Sequence, residues 1–178
     1  MKQPTNWFVI WLTWLSWSWK STIAEWLNQR FCDNGYCRIQ HLDGDVVRES
    51  LTKDLGFSKE DRHTNIQRVT FLADMLSQHQ VGVIASFISP YKEMRDHVKD
   101  NVSHYIEVFV NTPLEVCEER DVKWLYKKAR AGEIKGFTWI DAPYEHPEDP
   151  HIEIRTHEEP IKESVQKIID YLIVNKYI

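Results

Sequence analysis

Asp43 and Asp45 flank Gly44 in the string Leu42-Asp-Gly-Asp, at the end of a strand-like stretch from Arg38 to Leu42. Two carboxylates so placed can take a proton from a substrate hydroxyl, or hold magnesium directly or through water. The same string also reads as a turn whose aspartates cap a helix. Taken alone it leaves both readings open. Nearby residues add chemistry of one kind. Arg48 lies one helical step beyond Asp45, Arg62 and Asn65 are spaced i, i+3 on one helix face, and Phe57 comes just before that helix. Arginine forks onto sulfate or phosphate, and an aromatic ring stacks on a purine.

A second stretch carries chemistry through its backbone. After the apolar run from Phe8 to Leu12 the chain reads Trp14-Leu15-Ser16-Trp17-Ser18-Trp19-Lys20-Ser21-Thr22 and passes into a helical pattern. That is the outline of the phosphate-binding loop G-x-x-x-x-G-K-S, with tryptophan where the loop uses glycine. Glycines let backbone N–H groups curl around phosphate oxygens at a helix N-terminus. A left-handed conformation costs another residue about 1–2 kcal/mol. The stretch therefore points to a nucleotide-phosphate site and alters the loop that would build it.

The elements that must position these residues alternate strand and helix with short connections, which predicts a parallel sheet covered on both faces, an α/β fold. Strands are expected at Phe8–Leu12, Arg38–Leu42, Val81–Phe87 and Ile106–Val110. Helices are expected from about Val46, from Ser58 (with Ser58 and Asp61 as a capping box), after Thr112-Pro113, and over Glu159–Ile173. Residues 120–141 are charged, contain Gly132 and Gly136 and show no strand pattern, which predicts a mobile lid.

Composition sets the outer bounds. With 178 residues and 42% hydrophobic content the chain suffices for one domain with a core, so residues 1–178 are read as a single domain. A formal charge of −5 argues against broad nucleic-acid binding. Cys32, Cys37 and Cys117 are odd in number and lack metal-ligand spacing, as expected of reduced thiols in the cytoplasm. The tryptophan-rich start is too short to span a bilayer, which takes about 20 apolar residues, and no small-residue cleavage site follows it. No membrane association is expected.

Five strings together resemble one family, the adenylylsulfate kinases, which use ATP to phosphorylate the 3′-hydroxyl of adenosine 5′-phosphosulfate. They are LDGDVVR (42–48), LGFSKEDRHTN (55–65), ASFISPY (85–91), NTPLEVCEERDVK (111–123) and KKARAGEIKGFT (127–138). The resemblance implies a P-loop kinase fold, ATP and Mg2+, a closing lid, a place in sulfate assimilation and a homodimer. Carried over by position, it implies Asp43 as the base for the 3′-hydroxyl. Asp45, Arg48, Arg62 and Asn65 would contact adenylylsulfate, and Phe57 and Phe137 would sandwich its adenine. Ile88, Ser89, Lys123 and Gly136 would complete that pocket. Residues 14–22 would hold ATP, with Lys20 on its β/γ-phosphates and Ser21 on magnesium. Ser86 matches a serine that some bacterial members carry as phosphoserine, which implies a modification site and places it with Asp43 and Lys20 among the candidate catalytic residues.

The departures fall on one kind of position. Trp14, Trp17, Trp19, Trp124 and Trp139 stand where the family has glycine, and Thr70 replaces another. One base change turns a glycine codon into the tryptophan codon, which is one account of the pattern. The other is a non-catalytic adenylylsulfate-binding relative with a filled ATP loop.

Overall fold

The computed structural model describes residues 2–178. In chain order the elements are β1 (Val9–Thr13), α1 (Lys20–Asp33), β2 (Ile39–Asp43), α2 (Gly44–Glu49), α3 (Lys59–Gln78), β3 (Gly82–Phe87), α4 (Lys92–Asn101), β4 (Tyr105–Val110), α5 (Leu114–Glu119), α6 (Leu125–Arg130), β5 (Ile152–Ile154) and α7 (Ile161–Val174). The five strands form one sheet in the order β2-β3-β1-β4-β5, and every pairing is parallel. The expected α/β architecture is present.

Strand alternation builds two cores from one sheet. In and beside the central β1, Phe8, Ile10 and Leu12 point to one face, where they meet Ile23 and Leu27 of α1 and Ile168 and Leu172 of α7. Val9 and Trp11 point to the other, against Ile66 and Val69 of α3 and Met94 and Val98 of α4. A strand buried on both faces reads as an unbroken apolar run, which is why β1 and β3 were visible in the sequence.

The sheet register places the chemistry. Thr13, the last residue of β1, lies opposite Phe87, and Asp43, the last of β2, lies opposite Ser86. These carboxyl ends of parallel strands are where an open α/β sheet receives ligands.

Details differ from expectation for local reasons. Helix α2 starts at Gly44 because Asp43 caps it, accepting from the N–H groups of Asp45 and Val46. Half of the capping box at Ser58 forms: its Oγ accepts from Asp61 N at 3.0 Å. Strand β5 was not anticipated, having three residues, and neither was α4, whose charged sequence hides Met94 and Val98 one turn apart. Residues 120–141 hold α6 and one bridge, Thr138 to Ala142, but no strand. Among the described residues no helix is long and apolar enough to cross a membrane.

Candidate active site

A cavity of about 870 Å³ opens along the carboxyl ends of β1, β2 and β3. One end of it is the start of α1, where Ser16, Trp17, Trp19, Lys20, Ser21 and Thr22 face the space. The N-cap of that helix, Trp19, supplies no side-chain hydrogen bond, so the first turn presents its orphan N–H groups. Such an end attracts anions. The other three residues of the expected loop lie beneath it. Trp14 and Leu15 are buried in the core, and Ser18 is buried with its hydroxyl donating to Leu15 O.

Asp43 also lines the cavity, and its oxygens divide their work. Oδ1 accepts from the backbone of Asp45 at 2.9 Å, which caps α2. Oδ2 accepts from Ser21 Oγ at 2.5 Å and from Ser86 Oγ at 2.9 Å. Burial would raise this carboxyl, but the hydrogen bonds of Ser21, Ser86 and Asp45 N outweigh it, with His41 adding attraction, so the group is held below its usual range. His41 Nε2 lies 2.9 Å from Ser86 Oγ and 3.9 Å from Asp43 Oδ2. Its alternation with Asp43 along β2 was the available signal, and the sequence reading missed it.

The rest of the cavity is lined by Asp45, Arg48, Phe57, Arg62, Asn65, Ser86, Ile88, Ser89, Lys123, Gly136 and Phe137. The Arg48 guanidinium stands 4.5 Å from the centre of the Phe57 ring and donates to Gly56 O at 3.0 Å. Arg62 donates through Nε to Phe57 O at 3.0 Å and through Nη2 to Gly136 O at 2.6 Å. Two guanidiniums so close suit a ligand of opposite charge, and Asn65 Oδ1 is buried beside them without a hydrogen-bond partner. Gly136 has φ +68°, and a Cβ there would come within 3.3 Å of Phe57 O, so glycine is required at this approach. Asp141, missed in the sequence although four residues from Phe137, accepts from the N–H groups of Gly136 and Phe137 at 2.7 and 2.5 Å.

Lys20 faces its own loop, donating to Leu15 O at 2.5 Å and Ser18 Oγ at 3.3 Å. Burial pushes its ammonium down to about 8, against the attraction of Asp43 and Asp45. The Arg120 guanidinium lies 3.6 Å from the centre of the Trp19 ring, and its Nη1 donates to Thr156 Oγ1. Arg120 also escaped the sequence reading, since nothing local ties it to a loop a hundred residues earlier.

The adenylylsulphate kinase family profile matches residues 6–155. The chain belongs to that family. It is 58% identical over 162 residues to a probable adenylyl-sulfate kinase of Pseudomonas aeruginosa, covering 91% of this chain and 75% of that one. It is 58% identical over 159 residues to the adenylyl-sulfate kinase of Rippkaea orientalis, with 89% and 87% covered. Among solved structures it is similar to the Mycobacterium tuberculosis APS kinase in complex with AMPPNP and APS. There the TM-score is 0.89 at 39% identity, with 95% of this chain and 99% of that chain covered.

Proposed function

We propose that this protein transfers the γ-phosphoryl group of ATP to the 3′-hydroxyl of adenylylsulfate, giving 3′-phosphoadenylylsulfate and ADP. The observation that carries the assignment is Asp43, an ionised carboxylate between an anion-binding helix start and a pocket with two arginines and two aromatic rings. Phe57 and Phe137 flank the adenine in this reading. Arg48, Arg62 and Asn65 receive the phosphosulfate, with Asp45, Ile88, Ser89, Lys123 and Gly136 closing the pocket. The ribose 3′-oxygen then approaches Asp43. As the new O–P bond forms and the bond to the β-phosphate oxygen breaks, the hydroxyl proton passes to an Asp43 oxygen.

On the donor side Lys20 and the start of α1 take the phosphates. Ser21 Oγ, a hard oxygen donor 2.5 Å from the Asp43 carboxylate, suits magnesium more than a softer ion. Bound there, Mg2+ would neutralise charge on the ATP phosphates. Ser86 is read as a positioning residue, because its hydroxyl is buried between Asp43 and His41. Residues 120–141 are read as a lid that excludes water. Self-association as a homodimer and a cytoplasmic setting complete the proposal. Phe71 and Met75, one turn apart, leave an apolar strip of α3 exposed, and Cys32, Cys37 and Cys117 are free thiols.

A second reading, a binding module without turnover, is favoured by one observation: Trp17 and Trp19 project into the donor end. Incubation with ATP, Mg2+ and adenylylsulfate separates the two, run on this chain and on the W14G/W17G/W19G variant. Formation of 3′-phosphoadenylylsulfate by either supports phosphotransfer. Tight adenylylsulfate binding by both with no product supports the module.

A further inference from the structure

We infer that positions 14, 17, 19, 124 and 139 are glycine in the protein its own cell makes, through one codon read there as glycine and here as tryptophan. The backbone carries this inference. Trp17, Trp19, Trp124 and Trp139 have φ of 62°, 74°, 59° and 73°, inside the left-handed region, and Trp14 lies at its edge with φ 154°. Only a few per cent of non-glycine residues adopt positive φ, and bulky residues adopt it least. Eight tryptophans should therefore contribute fewer than one such case, and five occur.

The excess belongs to tryptophan and not to a generally strained fold. Among the described residues of every other non-glycine type, only Gln80, Ser89, His104 and Lys176 share this conformation. True glycines do share it: Gly35, Gly132 and Gly136 have φ of 85°, 76° and 68°. The other three tryptophans, Trp7, Trp11 and Trp26, have ordinary backbones. Trp11 shows what a tryptophan built into this fold looks like: extended in β1, fully buried, stacked on Phe87 and donating its indole N–H to Ser89 Oγ at 2.8 Å. Trp124, by contrast, is 61% exposed, and Trp17 and Trp19 stand in the cavity where a phosphate would lie. Trp14 does find a burial site and an acceptor in Thr112 O, but its ring packs against that of Trp139, another of the five. Those two indoles fill each other's space.

One codon accounts for all five. UGA differs by a single base from the tryptophan codon UGG and from the glycine codon GGA. A cell that reads UGA as glycine, while keeping UGG for tryptophan, makes glycine at the left-handed positions and tryptophan at 7, 11 and 26. The backbone then regains the freedom that a phosphate-holding loop needs.

The gene and the protein purified from its own cells test this without any assay of activity, so its failure is separate from failure of the proposed phosphotransfer. We expect UGA at codons 14, 17, 19, 124 and 139 and UGG at 7, 11 and 26, with peptide masses showing glycine at the first set. UGG at the five codons, or tryptophan masses there in the native protein, overturns the inference. A functional arm compares chains made with glycine and with tryptophan at the five positions, by calorimetry with a non-hydrolysable ATP analogue. Binding at least tenfold tighter to the glycine form is expected; equal affinity overturns the claim that glycine is the working residue.

Discussion

Asp43 is placed to be both a structural cap and, in the proposed function, the base, because its two oxygens face different partners. Replacing it with asparagine keeps the size and one carbonyl oxygen for the α2 cap while removing the base. In a chain with the loop glycines restored, we expect D43N to lower kcat by roughly 100-fold or more, within the usual range for a general base. Adenylylsulfate affinity should change much less. If Asp43 only caps α2, asparagine, an equally good N-cap, leaves kcat unchanged. The kcat of D43N beside that of its parent decides between them. The depressed carboxyl has a further consequence. Because its folded pKa lies below the unfolded value of about 3.9, ionised Asp43 favours the folded state, fully above that pH and progressively less as pH falls through the folded pKa. The melting-temperature gap between parent and D43N should therefore be widest near neutrality and shrink on acidification to pH 3. A gap independent of pH would mean that ionisation is not what the variant removes. Arg62 belongs to the same scale. Replacing it with alanine should weaken adenylylsulfate binding by roughly 1.5–3 kcal/mol, the size of a hydrogen bond to a charged group, as read by calorimetry.

At the scale of elements, the start of α1 is the proposed donor site. Phosphoryl transfer is mostly positioning and charge stabilisation, so a loop that cannot wrap the phosphates withdraws the protein's main contribution. With tryptophan at 14, 17 and 19, turnover should be at least ~1000-fold below the glycine form, about 4 kcal/mol of transition-state stabilisation. A coupled assay giving equal rates for the two forms would remove the loop from the mechanism. The elements that could be read from the chain were those with local causes. Strands β1 and β3 announce themselves as apolar runs, α3 by Ser58 and Asp61, and the turn at Asp43 by its own composition. Most of the expected site residues also meet in one cavity, because their strings end strands or open helices at the same edge of the sheet. What stayed hidden depends on distant partners. His41 matters only through Ser86 on the neighbouring strand, and Arg120 only through Trp19 and Thr156. Strand β5 is three residues long and exists because β4 offers it an edge.

For the molecule as a whole, charge is distributed against its own sum. The chain is acidic, with a formal charge of −5, yet Lys20, Arg48, Arg62 and Lys123 all face one cavity. An anionic nucleotide is thus drawn to a basic recess in an acidic surface, and repulsion elsewhere discourages unproductive sites. The recess is also tied shut at one point. Arg62, on α3, holds the carbonyl of Gly136, and Asp141 grips the N–H groups on either side of that carbonyl. On the proposed reading, the free end of this mooring line is the group an arriving sulfate seeks. A bare sulfate ion should capture Arg62 and cast the segment loose, having nothing to offer Phe137. Adenylylsulfate should capture the same arginine but bring a ring against Phe137, making the segment fast again from the other side. Amide exchange over residues 137–142 should therefore quicken in excess inorganic sulfate and slow in saturating adenylylsulfate. Two anions sharing one chemical group would leave opposite signatures on the same few amides, and identical responses to both would show that the line is not held by Arg62.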